Sequence, residues 1–345
     1  MSFRNDVRPT NDRTDLPPAG VVDPPIIPTQ THDVVQLPSG RIAFITAGSG
    51  EPLLFVHGLG GTRETWADLL TALSFTHTVI AVDLPGHGQS DAPAGDYSLG
   101  AHATVLRDLL VALGHRSATV IGHSLGGGIA LQFAAQFPER TRRLVLISSG
   151  GLGPELTVLL RAATLPGASA VVAGLARLPQ PLTRRALSVM SAVPGVVARQ
   201  DAAPLAQDLQ GLADAGQRQA FISTAHTVID WRGQSVSADR QLGLLADMPV
   251  LALWGADDQT IPANHHRAIA AQLPAARCVE ISGAGHYPHE TQPAQLITHL
   301  DDFLETTTPF EYSETRWRDL LGAGPVPGPA GAAGAGESEG ARMTG

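Results

Sequence analysis

The chain has 345 residues, 43% of them hydrophobic, and a net charge of −9 in which every one of the 23 basic residues is arginine. That length allows about two domains and a sizeable core, while the lack of lysine excludes a lysine-driven phosphate loop and a Schiff-base mechanism. The acidic balance, with no arginine run interleaved with aromatics, argues against a nucleic-acid surface, and a single cysteine excludes an internal disulfide.

Residues 1–30 are rich in proline, aspartate and arginine and contain no apolar stretch followed by small residues, so they read as a disordered arm rather than a secretory signal. Folding is expected to begin near His32, where Val34–Leu37 and Arg41–Thr46 flank the turn Pro38-Ser39-Gly40. The continuous apolar run Leu53–His57 has the character of a strand buried on both faces, and it ends in His57-Gly58-Leu59-Gly60-Gly61. A helix around Glu64–Leu73 is followed by a strand, Thr78–Val82, that passes into a polar loop from Asp83 to Asp91. The next helix starts at a Ser98 cap, carries Leu106, Leu109, Leu110 and Leu113 on one face and stops at Gly114. Ala118–Ile121 and Leu144–Ser148 are strands, with a helix bearing Ile129, Phe133 and Phe137 between them.

From about Leu152 to Ala246 the sequence offers only helix-like stretches, broken by Pro166, Pro179, Pro181, Pro194 and Pro204, and these residues read as an inserted helical lid. Alternation then resumes with the strand Val250–Trp254, a helix over Ala263–Gln272, the strand Arg277–Ile281 and a helix carrying Leu296, Leu300, Phe303 and Leu304. The order predicts an α/β fold with a mostly parallel sheet covered by helices on both faces and a ligand site at the carboxyl ends of the strands. Its core would comprise 31–151 and 247–306, split by a lid over 152–246. Phe310–Leu321 reads as a segment that docks on the surface, and the Gly, Ala and Pro-rich stretch from 322 to 345 as disordered. The most apolar stretch, Leu165–Leu175, is too short and too proline-marked to span a bilayer. Cys278 reads as a buried structural thiol, and a reducing, cytoplasmic compartment is expected.

Three loops carry the chemistry. Gly122-His123-Ser124-Leu125-Gly126 places a serine between small residues where an apolar strand enters a helix, the Gly-x-Ser-x-Gly turn that leaves a hydroxyl proud of the sheet edge. A serine hydroxyl needs a base, and an imidazole needs a carboxylate to hold its tautomer. The turn Gly255-Ala256-Asp257-Asp258 supplies two carboxylates after one strand, and Ser282-Gly283-Ala284-Gly285-His286 supplies a histidine after the next. The chain order Ser, Asp, His at successive strand ends is far more specific than the turn alone.

On these motifs the chain resembles the α/β-hydrolase superfamily over roughly Thr31–Glu305, in the serine-nucleophile branch with a helical lid after the sixth strand. The resemblance implies Ser124 as nucleophile, His286 as base and Asp258 as acid, since Gly255 to Pro262 matches Gly-x-x-Asp-x-x-x-Pro, with Asp257 as runner-up. It implies an oxyanion hole made by the N–H groups of Leu59 and Leu125. Ser148 stands where some members carry their acid. A dinucleotide reading of Gly58, Gly60 and Gly61 fails because Arg63 stands where the pattern needs glycine.

The expected activity is cofactor-free hydrolysis of an ester or related bond in a small-molecule substrate through an acyl-enzyme. The serine argues against the dehalogenases and epoxide hydrolases that use aspartate. Carboxylesterases and enol-lactonases are similar in general, as are the hydrolases that cut carbon–carbon bonds in ring-cleavage products. His123 and Tyr287 replace the asparagine and tryptophan usual in the last group. Perhydrolysis and a receptor-like binding role stay open, as does the oligomeric state. A metal is not expected, since His286, His289 and Glu290 lie on a Gly and Pro loop with no helix to set ligand spacing. His57 and His87 read as loop braces, and Trp66, Trp231 and Trp254 as packing residues. Leu156–Leu178, apolar with Arg161 and Arg177 at its edges, favours an uncharged acyl group.

Overall fold

The computed structural model describes residues 27–322; the expectations for 1–26 and 323–345 lie outside them. Eight strands form one sheet: β1 (Thr31–Leu37), β2 (Gly40–Ala47), β3 (Pro52–Val56), β4 (Thr78–Val82), β5 (Ala118–His123), β6 (Thr141–Ile147), then, after a two-stranded hairpin of β7 (Ile229–Asp230) and β8 (Gly233–Gln234), β9 (Val250–Gly255) and β10 (Arg277–Ile281). Their order is β1-β2-β4-β3-β5-β6-β9-β10. β2 runs antiparallel to both β1 and β4, and within the run β4-β3-β5-β6-β9-β10 each adjacent pair is parallel. The chain therefore leaves β3 in one direction for β4 and returns to its other side at β5. Such a reversal opens a crevice at the carboxyl ends of β3 and β5, where open α/β sheets bind ligands.

The apolar runs read from the sequence are buried because alternate residues feed two different core layers. Leu54 and Val56 of β3, with Leu144 and Leu146 of β6, face one layer. It is filled by α2 (Leu99–Ala112) and α3 (Leu125–Gln136). Leu53, Phe55, Val145 and Ile147 face the other, built with α1 (Ala67–Leu73) and a late helix that contributes Leu296, Leu300 and Phe303. Trp66 and Trp254 are completely buried, whereas Trp231 is 68% exposed, which corrects its reading as a packing residue. The Ser98 hydroxyl caps α2 by accepting from the Ala101 N–H, and Gly114, at φ 78°, follows the helix in the left-handed conformation that glycine tolerates.

Between β6 and β9 lie α4 (Val158–Ala162), α5 (Ala168–Ala176), α6 (Gln180–Met190), α7 (Ala202–Gly211), α8 (Ala215–Val228), the β7–β8 hairpin and α9 (Asp239–Leu242). The hairpin corrects the purely helical expectation. Its turn closes because the Asp230 carboxylate accepts the Arg232 and Gly233 N–H groups and Gly233 adopts φ 139°, so a short Asp-x-x-Gly signal overrides its surroundings. After β9 come α10 (His266–Gln272), α11 (Pro288–Thr291), α12 (Pro293–Thr306) and α13 (Glu314–Leu320). The segment around α13 is tied down by Phe310 N–H donating to the Arg142 carbonyl and by Arg316 pairing with Asp247. Cys278 is half-buried rather than buried, because β10 is an edge strand covered incompletely on its outer side.

Candidate active site

The turn after β5 is held by close backbone packing. A Cβ on Gly122 would stand 2.1 Å from the Gly126 carbonyl oxygen, and one on Gly126 would stand 2.2 Å from that of Val56. No side chain fits either position. Ser124 between them takes φ 54° and ψ −116°, an uncommon conformation for a residue with a Cβ that costs about 1–3 kcal/mol. Four backbone bonds retain it: its N–H donates to the Ile147 carbonyl, and its own carbonyl accepts from the Gly127, Gly128 and Gly150 N–H groups.

Ser124, Asp258 and His286 converge. The Ser124 hydroxyl lies 2.9 Å from His286 Nε2, and His286 Nδ1 lies 2.9 Å from Asp258 Oδ2. The other Asp258 oxygen accepts the N–H groups of Thr260 and Ile261, so the carboxylate is held from both ends. Asp257 is exposed and directed away, with Gln200 as its neighbour. The loops carrying Asp258 and His286 meet backbone to backbone, with Ala256 N–H on the Ile281 carbonyl, Asp257 N–H on that of Ala284, and a Cβ on Gly255 falling 1.9 Å from the Gly285 oxygen.

Burial alone would lower the His286 pKa, but the Asp258 charge and hydrogen bond, helped by Asp201 and Asp208, reverse the sign and raise it. The surrounding histidines go the other way. Burial brings His57 down to about 4 and His87, His102 and His289 to about 3, and holds His123 well below its ordinary value. Among the described residues His286 is the one histidine displaced upward, the signature of a group with a specific charge partner in a buried cluster.

The loop after β3 comes next to Ser124. His57 Nδ1–H donates to the Gly58 carbonyl while its Nε2 accepts from the Leu84 N–H, a neutral tautomer that ties this loop to the one after β4. His87 likewise bonds the Pro85 carbonyl, so both histidines act as braces as expected. Asp83 adds a second tie that the sequence did not reveal: buried, it accepts the Arg63 and Gln89 N–H groups and pairs with the Arg63 guanidinium. Gly61 N–H takes the Gly58 carbonyl, which leaves the Leu59 N–H outside the turn's own bonding. Leu125 N–H is at the first position of α3, one of the donors a helix leaves without an internal acceptor.

Sequence reasoning also missed Asp201 and Asp208, seven residues and about two turns apart on the segment leading through α7. Asp201 accepts the N–H of His286 at 2.7 Å and of Tyr287 at 3.3 Å, and Asp208 accepts the Tyr287 hydroxyl at 2.8 Å. Burial pushes their pKa values up to about 6 and about 7. Nothing in the spacing of two carboxylates within a helical insertion marks them, because their partners lie some eighty residues further along. His123 Nε2 closes the arrangement by donating to the His286 carbonyl.

Ser124 opens into an apolar cleft walled by Leu99, Leu156, Leu160, Val228, Val236 and Ile261, with Gln234 as the other polar side chain. The Gln234 amide is engaged with Gly151 N–H and the Glu155 carbonyl.

The sequence pattern of the alpha/beta hydrolase fold matches residues 51–293. The chain belongs to the α/β hydrolase family. An uncharacterized protein of Mycobacterium tuberculosis (strain ATCC 25618 / H37Rv) is 37% identical over 318 residues, covering 91% of this chain and 92% of its own. Among solved structures, this α/β hydrolase superposes on Est816, an N-acyl homoserine lactone degrading enzyme, with a TM-score of 0.64 at 24% identity, covering 79% of this chain and all of the other. It also superposes on the meta-cleavage product hydrolase CumD of Pseudomonas fluorescens IP01, at 0.64 and 21% identity over 79% and 97% of the two chains. At those identities the two solved structures bear on the fold alone. The chain is a hydrolase by family, and among the described residues no helix is long and apolar enough to cross a membrane.

Proposed function

We propose that this hydrolase cleaves an ester or related bond of a small to medium, largely apolar substrate through a Ser124 acyl-enzyme, with the insertion as its lid. The observation that carries this reading is the buried relay from the Ser124 hydroxyl through His286 to Asp258, 2.9 Å at each step. His286 Nε2 takes the hydroxyl proton as Ser124 Oγ attacks the acyl carbon, and Asp258 stabilises the imidazolium that forms. The Leu59 and Leu125 N–H groups donate to the developing oxyanion. His286 then returns the proton to the leaving alcohol, and a water activated in the same way releases the acid.

The cleft wall argues for uncharged acyl groups, because a charged one would lose its hydration without gaining a partner there. Each buried methylene adds roughly 0.8 kcal/mol until the pocket is full, about a fourfold gain in kcat/KM. Turnover of p-nitrophenyl esters of increasing chain length should therefore rise and then fall. A strong preference for charged dienoate ring-cleavage products would overturn the ester reading in favour of carbon–carbon hydrolysis.

A further inference from the structure

We infer that the outer face of α4–α6 docks on an anionic lipid surface. Two neighbouring helices each leave an apolar stripe at helical spacing in solvent: Val171, Leu175 and Leu178 along α5 and its end, and Leu182, Ala186 and Val189 along α6. Val171 is 63% exposed and Val189 68%. The flanking faces, about a quarter-turn round, are the ones that pack, Ala176 and Val172 with Leu209, Leu212 and Phe221, and Leu187 with Ala202 and Ala206 of α7. The stripes are thus surplus to the core, and exposed apolar area of this kind marks an interaction site.

Charge identifies the partner. Residues 156–200 contain five arginines and no aspartate or glutamate, within a chain whose net charge is −9. Arg177, Arg184, Arg185 and Arg199 are exposed, and among the described residues none of them is in an ion pair with a carboxylate. A second copy of this chain is a poor occupant, because a two-fold interface would set this basic face against itself. Helices of nine and eleven residues are too short to span a bilayer, but they suit lying in its plane with apolar side chains down and arginines among the headgroups. The position has a use for catalysis as proposed above. α4 shows Val158 to solvent while Leu160 lines the Ser124 cleft, so an ester dissolved in the lipid would meet the cleft across a single helix.

The test is flotation of the full chain with vesicles of phosphatidylcholine alone and of phosphatidylcholine mixed with phosphatidylglycerol, at low and physiological salt. Wild type should float with the anionic vesicles, weakly with the neutral ones, and less at higher salt. Combined Arg177→Gln, Arg184→Gln and Arg185→Gln should weaken anionic binding on the order of a hundredfold, and combined Leu175→Ser, Leu182→Ser and Val189→Ser should abolish it. Circular dichroism melts matching wild type establish that both variants are folded. Ser124→Ala should bind as wild type does, so failure of the hydrolase reading leaves this result intact. The proposal is overturned if wild type stays with the soluble fraction at low salt, or if the arginine variant binds undiminished. A dimer dissolved by the same substitutions, or capture by an acidic protein surface in place of vesicles, would also overturn it.

Discussion

Ser124, in its positive-φ turn, has its hydroxyl 2.9 Å from His286 Nε2; under the proposed mechanism the two act as nucleophile and base, so removal of either group should act as removal of the whole unit. Ser124→Ala and His286→Ala are each expected to lose on the order of a millionfold in kcat with the fold retained. Retention of a tenth of wild-type esterase activity in pure Ser124→Ala protein would contradict this. Asp258→Asn should cost far more than Asp257→Asn, because only the former carboxylate reaches the imidazole. As the proposed base, His286 must be neutral to accept a proton and its pKa is raised, so kcat/KM should fall as pH drops through a value above 6.5, the usual imidazole pKa. The groups facing His286 are Asp258, Asp201, Asp208 and Tyr287, with His123 against its ring. Asp201→Asn keeps the shape and deletes one negative charge, so it should move that acid limb to lower pH while reducing kcat. A limb that stays in place would show that Asp201 serves the loop's stability alone.

At the scale of elements, the site depends on the carboxyl-end loops of β3, β5, β9 and β10 being packed without intervening side chains. Gly255 is the test position, since its missing Cβ is what lets the Asp258 loop and the His286 loop touch. Gly255→Ala should push His286 off line and cost on the order of a hundredfold in kcat, as about 1 Å of misplacement does. Activity within a factor of a few of wild type would contradict that account. Much of this was legible in the sequence because each strand is a short apolar run ended by glycine. Three of those ends carry serine, aspartate and histidine, each a local signal. What could not be read is non-local: the Asp201 and Asp208 grip on His286 and Tyr287 and the Arg63–Asp83 tie join residues with no shared pattern. The β7–β8 hairpin was hidden for another reason, its four paired residues being too few to show a period of two.

For the molecule as a whole, the buried histidines make stability depend on pH. His57, His87, His102, His123 and His289 stay neutral when folded, their pKa values lowered by burial, but take up protons once unfolded as pH falls below about 6.5. The stability they give is complete above that value and is lost as pH falls toward about 4 for His57 and about 3 for His87, His102 and His289. Asp201 and Asp208, raised to about 6 and about 7, together with His286, Glu290 and Asp301, also raised, oppose this by binding protons in the folded state, but burial lowers eight histidines in all, His77, His115 and His266 joining the five. Tm should therefore drop between about pH 7.5 and about pH 5, and a constant or rising Tm would contradict the assignment. The central claim, that sheet, insertion and loops together serve one nucleophile, is tested most directly by covalent trapping. The full chain is treated with a fluorophosphonate and the adduct located by tandem mass spectrometry. One adduct per chain on Ser124, greatly slowed in His286→Ala, is the expected result; an unlabelled chain, or label on another serine, would contradict it.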